Sequence, residues 1–423
     1  MVRRGLMLCA VLAAAPAGCT SAPRGACQTT NMLPVTELVD RDRVDDAVPA
    51  VDVALCEALA AGVSRPTAPA DPTARRFNVL VLSGGGAYGA YPAGILCGWT
   101  EAGTRPSFDV VTGVSTGALV ATLAFLGPSR DADLRRVYTT VTSKDVFEER
   151  RPEVAGVLGE SLADSKPLER LINSVADERL LAEVAAEHAK GRRLYVGTTH
   201  LDSRRLIVWD MGAIATRGGP VYLTLFRKVL LASASIPGFF PPVRVPVEVD
   251  GKAYEELHVD GGVTAALFFR PPVVPPGQVA ALGDHPLAGS NLYVIVAGKL
   301  FADPGCVDRR FTRIAADSIS ALLYAQTRGD LFQMFALCLA GRMNYHLTGI
   351  PADAPAPPDS TTFDPAQMGR LFELGRQLAR DGNPWRSTPP GLGRGEQVPV
   401  RSDTRLTVRP GLTAEPAVVP AGR

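Results

Sequence analysis

Three short stretches of the chain set a reactive side chain or bare backbone among glycines. Gly113-Val114-Ser115-Thr116-Gly117 fits G-x-S-x-G, where the flanking glycines let a strand bend sharply into a helix and leave the serine Oγ projecting at the helix N-terminus. Ser115 is therefore a candidate nucleophile, the alternative being a small-residue turn with a capping serine. Gly84-Gly85-Gly86 presents backbone N–H groups unshielded by side chains, the donors that the oxyanion of an acyl transfer needs. Asp260-Gly261-Gly262 sets an acid beside residues that turn freely, although an ordinary D-G turn reads the same way. Oxyanion donors, a nucleophile and an acid thus follow one another along the chain.

The elements that must position these residues are legible around them. Phe77-Asn78-Val79-Leu80-Val81-Leu82 is a short apolar run of the kind that forms a strand buried on both faces, and a helical pattern follows over Tyr91 to Trp99. A second run, Phe108-Asp109-Val110-Val111-Thr112, leads into Gly113, and an apolar helix follows over Ala118 to Leu126. Two strand, glycine turn, helix units in series predict an α/β fold with a largely parallel sheet and its functional turns at the carboxyl ends of the strands. Leu257-His258-Val259 reads as the strand that carries Asp260 at its end. The helical, charged region from Asp131 to Lys190 is either a cap over the site or an outer layer, and helices over about Asp317 to Arg342 and Pro365 to Arg380 would pack similarly. There is no internal repeat.

Other chemistries fit less well. Gly84-x-Gly86-x-x-Gly89 satisfies the dinucleotide-binding pattern, with Asp109 twenty residues beyond Gly89. A ribose-binding acid belongs at the carboxyl end of the second strand, however, and Asp109 stands at the amino end. His188, His200, His258, His285 and His346 are the candidates for a triad base, but none sits in an obvious catalytic turn and each reads as a surface or structural residue. No Cys or His spacing suggests a zinc site, so neither a metal nor a cofactor is expected. Lys+Arg 44 against Asp+Glu 43, a formal +1, gives no electrostatic case for nucleic acid or for a polybasic membrane patch. With 46% hydrophobic residues the chain can bury a sizeable core, which argues against a wholly disordered protein.

Taken in order, Gly84-Gly85-Gly86-Ala87-Tyr88-Gly89, Gly113-Val114-Ser115-Thr116-Gly117 and Asp260-Gly261-Gly262 resemble the motifs of the patatin-like phospholipase family. The resemblance extends to Ser161 through Leu168, Gly197 through Asp202 and Ala232 through Pro242, and covers roughly residues 77 to 380. It implies a three-layer α/β fold, a Ser115-Asp260 dyad, an oxyanion hole at Gly84, Gly85 and Gly86, and supporting roles for Gly89, Gly113, Gly117, Gly261 and Gly262. Asp260 would take the proton of Ser115, and Ser115 Oγ would attack a fatty acyl ester of a phospholipid or lysophospholipid. Tyr88 departs from the pattern, because family loops commonly carry Arg or Lys there; a phenol donates one hydrogen bond but brings no full charge. Phe239 and Phe240 would line an acyl pocket or its mouth, or pack in the core. An acyltransferase would share the first half-reaction, and an envelope protein keeping the fold without activity is a further alternative.

The ends read differently from the middle. Arg3-Arg4 and the short apolar run Leu6 to Ala15 have the form of a secretory signal, and Ala17-Gly18-Cys19 resembles a bacterial lipobox in which Cys19 is lipidated, with Pro16 where Leu is usual. The expected organisation is a leader over 1–18, a tether over 19–74 with a helical stretch near Asp45 to Ala61, a catalytic domain over 75–382 and a Pro/Gly-rich tail over 383–423. The expected location is the bacterial cell envelope, on the periplasmic side or at the outer membrane, with secretion as the alternative. Cys27 with Cys56 and Cys306 with Cys338 are candidate disulfides, or the four are buried thiols.

Overall fold

The computed structural model describes residues 76–150, 160–249, 251–272, 286–303, 310–355, 360–382, 384–392 and 396. The leader, Cys19, the tether with its helical stretch, Cys27, Cys56 and Cys306 lie outside the described residues, as does most of the tail. In chain order the elements begin β1 (Asn78–Leu82), α1 (Ala90–Glu101), β2 (Val110–Val114), α2 (Thr116–Leu126), α3 (Asp131–Thr140) and α4 (Ser143–Val146). The short strands β3 (Glu148–Glu149) and β4 (Ala163–Asp164) precede α5 (Lys166–Val175) and α6 (Glu178–Ala189). Then come β5 (Arg193–His200), β6 (Arg205–Asp210), α7 (Met211–Arg217), α8 (Gly219–Ser233), β7 (Val243–Val249) and β8 (Lys252–Asp260). β9 (Asn291–Lys299), α9 (Phe311–Gly341), β10 (Asn344–Ile350) and α10 (Pro365–Arg380) complete the set.

The main sheet runs β10-β9-β1-β2-β5-β8-β7, with β6 also paired to β5. The five strands from β10 to β5 are mutually parallel, and β6, β8 and β7 are joined by antiparallel pairing. β1 shows why the run at its centre has no polar alternation: Leu80 and Leu82 enter one core while Val79 and Val81 enter a second on the opposite face. Leu331, Met334 and Cys338 of α9 close that second core. The sheet is therefore the middle of three layers, an α/β fold with a mostly parallel centre. Helices α10 and α1 approach closely, since a Cβ on Gly94 would lie 2.0 Å from the carbonyl oxygen of Phe372 and one on Gly98 2.0 Å from that of Arg376. Cys97 and Cys338 are buried free thiols. No helix among the described residues is long and apolar enough to cross a membrane.

The register of β5 positions the site. Its first residues pair with β2, ending at Gly197↔Val114, and its last residues pair with β8, beginning at Thr198↔Asp260. β2 and the antiparallel β8 thus meet end to end along one side of β5, so adjacent residues of β5 bring the end of each strand to one point. Asp109 lies just before β2, where its carboxylate accepts the Asn78 N–H at 2.8 Å, at the opposite end of that strand from Ser115.

Candidate active site

Ser115 sits between β2 and α2 with φ 56 and ψ −130, one of three non-glycine residues of positive φ among those described. The conformation points its side chain out of the bend, and the neighbouring glycines permit it. A Cβ on Gly113 would lie 2.4 Å from the Gly117 oxygen, and one on Gly117 2.4 Å from the Ser83 oxygen. A Cβ on Gly84 would approach that of Ser115 to 2.9 Å, so the first turn comes directly against the second. On Gly89 an added Cβ would meet Thr116 Oγ1 at 2.4 Å.

Asp260 ends β8 beside Ser115. The Ser115 side chain acts on its carboxylate, and Oδ1 accepts the Gly262 N–H at 2.7 Å. Both side chains are nearly enclosed, each residue being 6% exposed. Burial pushes the Asp260 carboxyl up to about 6, with Ser115 and the Gly262 N–H pulling the other way. A carboxylate so shifted is a stronger base than an exposed one and is still mostly ionised near neutrality. Gly261 allows the close passage of the chain here, as a Cβ would lie 2.6 Å from the Gly197 oxygen; on Gly262 it would lie 3.1 Å from Asp260 Oδ1. No histidine acts on this carboxylate among the described residues; His285 lies outside them.

The glycine turn after β1 faces the same point. Gly85 and Gly86 have φ 154 and 52, and an added Cβ would strike the Ala297 oxygen at 2.0 Å and the Ser360 oxygen at 2.2 Å respectively. Protein backbone therefore fills the space behind the turn. Ser83 fixes its start by donating to the Gly84 carbonyl at 2.8 Å and accepting the Ala297 N–H at 2.8 Å. The Ala87 and Tyr88 N–H groups are taken by the carbonyls of Ser360 and Gly85, whereas the amides of Gly84, Gly85 and Gly86 have no hydrogen-bond partner among the described residues.

A cavity opens over Ser115 and Gly86. Phe239 and Phe240 line it, and their rings meet edge to face at 4.9 Å, as do those of Phe147 and Phe239. Phe240 also belongs to the core. Val137, Tyr138 and Leu168 bring the inserted helical region into the cavity wall, which is apolar apart from a few hydroxyls. The region thus serves as a wall of the cavity and as part of the helical layer. Ser360, Phe363 and Met368 add a further side from far along the chain.

The sequence alone assigns no role to the end of α8 and the turn that follows it. Ser233 Oγ accepts the Ser115 N–H at 2.9 Å and donates to the Gly197 carbonyl at 2.7 Å. The Ser235 carbonyl accepts the Asp260 N–H at 2.9 Å. One turn thus holds the backbone of both Ser115 and Asp260. Its residues lie within the Ala232 to Pro242 stretch, but nothing in that string indicates which hydroxyl reaches which strand. The histidines also prove less scattered than their spacing suggests, because β5 and β8 bring His200 and His258 together beside Glu256.

In comparisons with known proteins, residues 80–273 match the family model of the patatin-like phospholipases. No curated protein matches the sequence. Solved structures that align include VipD from Legionella pneumophila, at 15% identity over 73% of this chain and 66% of that one, with a TM-score of 0.37. Another is the type III effector protein ExoU, at 14% identity over 73% of this chain and 53% of that one, with a TM-score of 0.22. The chain spans less than two thirds of either.

Proposed function

From the premise that residues 80–273 are a patatin-like phospholipase domain, we propose that the protein is a serine acyl hydrolase that cleaves fatty acyl esters of phospholipids or lysophospholipids. The observation that carries this reading is Ser115 on the wall of an apolar cavity, with the buried Asp260 carboxylate beside it. The acyl chain enters between Phe239, Phe240 and the helical wall, which excludes water from the ester. Asp260 takes the Ser115 proton as Oγ attacks the carbonyl carbon, and the amides of Gly84, Gly85 and Gly86 receive the developing oxyanion. The tetrahedral intermediate collapses by breaking the bond to the alcohol, and the proton on Asp260 passes to that leaving oxygen. Asp260 then takes a proton from water, the resulting hydroxide attacks the acyl-enzyme, and the free fatty acid departs as the proton returns to Ser115. No cation enters these steps from position 88, where Tyr88 stands; amide donors carry the oxyanion alone.

A lipid on Cys19 and a tether to residue 74 would hold this domain at a membrane of the cell envelope, supplying the contact that a near-neutral chain lacks. The test is incubation of purified protein with a panel of phospholipids and lysophospholipids, with mass detection of products. Free fatty acid and the matching lysolipid or glycerophosphodiester are expected from the wild type, and none from Ser115→Ala. Release of neither product from any lipid would overturn the reading, and transfer of the acyl group to an added alcohol in place of water would reassign it to acyl transfer.

A further inference from the structure

Beyond the junction with β2, strands β5 and β8 stay paired, and the register His200↔His258 sets two imidazoles opposite each other. Their ring centroids are 5.2 Å apart. Glu256, two residues before His258, shares that face of the strand, since side chains alternate with period two. One ligand atom from each of His200, Glu256 and His258 falls within 4.8 Å of the others, and all three residues are buried. His258 Nε2 stands 3.0 Å from Glu256 Oε2. From the turn after β5, Asp202 adds a second carboxylate with Oδ2 3.7 Å from His200 Nε2.

The outer nitrogens of the two rings are held in the same way. His258 Nδ1 lies 2.9 Å from Thr198 Oγ1, which also accepts the Trp209 Nε1–H at 2.8 Å. His200 Nδ1 lies 2.8 Å from Ser203 Oγ. An imidazole whose Nδ1 is fixed by a second partner, with Nε2 directed at a shared point, has the arrangement of metal-bound histidine.

We propose that His200, Glu256 and His258, joined by Asp202, bind a divalent transition-metal cation of the zinc class. Two neutral imidazoles and two carboxylates form an N2O2 set that suits zinc and balances its charge. Zinc–nitrogen and zinc–oxygen bonds of about 2.0–2.2 Å require the donors to draw in to about 3.3 Å of one another. Asp202, with 19% of its side chain exposed, lies on the side from which an ion enters, whereas His258 is fully enclosed. None of the four residues lines the cavity over Ser115, and the ion takes no part in ester cleavage. Its effect is mechanical: an ion would tie the end of β5 to β8 two residues before Asp260.

The test uses purified full-length protein, made without a metal-chelating tag and stripped with a chelator. Zinc chloride is titrated by calorimetry, and cobalt chloride is followed by visible absorption. One zinc per chain, a rise in Tm with zinc and the intense visible bands of four-coordinate cobalt are expected. Because a variant of buried His258 can fail to fold, the decisive variants are Asp202→Asn and His200→Gln, with native circular dichroism as the control. Zinc affinity at least about 10-fold lower in each, with the cobalt bands weakened, supports the site. No uptake by the wild type, or equal uptake by both folded variants, overturns it.

Discussion

After β1 the chain turns through Gly84, Gly85 and Gly86, and after β2 it turns through Ser115, so two units of the same architecture meet at one point with opposite content. The first turn removes side chains so that amides are bare, and neighbouring backbone at Ala297 and Ser360 fills the space behind it. The second forces a residue that bears a side chain into a positive φ, and the glycines on either side yield the room. In the proposed mechanism, donors come from deleting side chains and the nucleophile from straining one outward. In the first turn conformational freedom is the requirement; in the second strain is the means.

The comparison can be broken most severely at the strained turn. Ser115→Ala is expected to lower ester hydrolysis by roughly 10⁴-fold or more. Ser115→Gly should lose as much activity yet be more stable than Ser115→Ala, by about 1 kcal/mol, because only glycine relieves the positive φ. Parallel lipid assays and thermal melts check both. Equal Tm values for the two variants would remove strain from the account.

At the bare turn, Gly86→Ala sets a Cβ against the Ser360 carbonyl and requires φ 52 of an alanine. Displacement of the amides should cost about 10² to 10³ in kcat. Steady-state kinetics on one lipid ester decides, and an unchanged kcat would show that these amides do not hold the oxyanion.

Much of this contrast was legible in the sequence, for a physical reason. β1, β2 and their turns are built from consecutive residues, so periodicity and glycine placement reveal them without knowledge of tertiary structure. The Asp260 turn was legible as a turn but not as a neighbour of Ser115, because their meeting depends on β8 lying end to end with β2 along β5. The same strand pairing hid the approach of His200 to His258. Ser360 and Ser233 were opaque for a further reason: each reaches the site through one carbonyl or hydroxyl, and hydrogen bonds made by one such group leave no periodic trace.

Ser233 belongs to neither turn, yet it ties the strained one to β5. Ser233→Ala is expected to lower kcat about 10-fold with KM little changed, as the loss of one buried hydrogen bond at a reacting residue should. A fold-wide effect would instead lower Tm and leave the kcat of the folded fraction intact. The smallest effect is expected at the cavity wall. Phe239→Ala should leave kcat within a few fold on a preferred ester and shift chain-length preference toward bulkier acyl groups, tested with esters of graded chain length.

The central claim is that Asp260 acts directly on Ser115, and the most direct measurement is the rate at which a fluorophosphonate modifies Ser115, followed by intact mass and peptide mapping. The account predicts one adduct, on Ser115, in the wild type, formed roughly 10²-fold or more slowly in correctly folded Asp260→Asn. Labelling of Asp260→Asn at the wild-type rate, or a wild type that stays unlabelled, would contradict it.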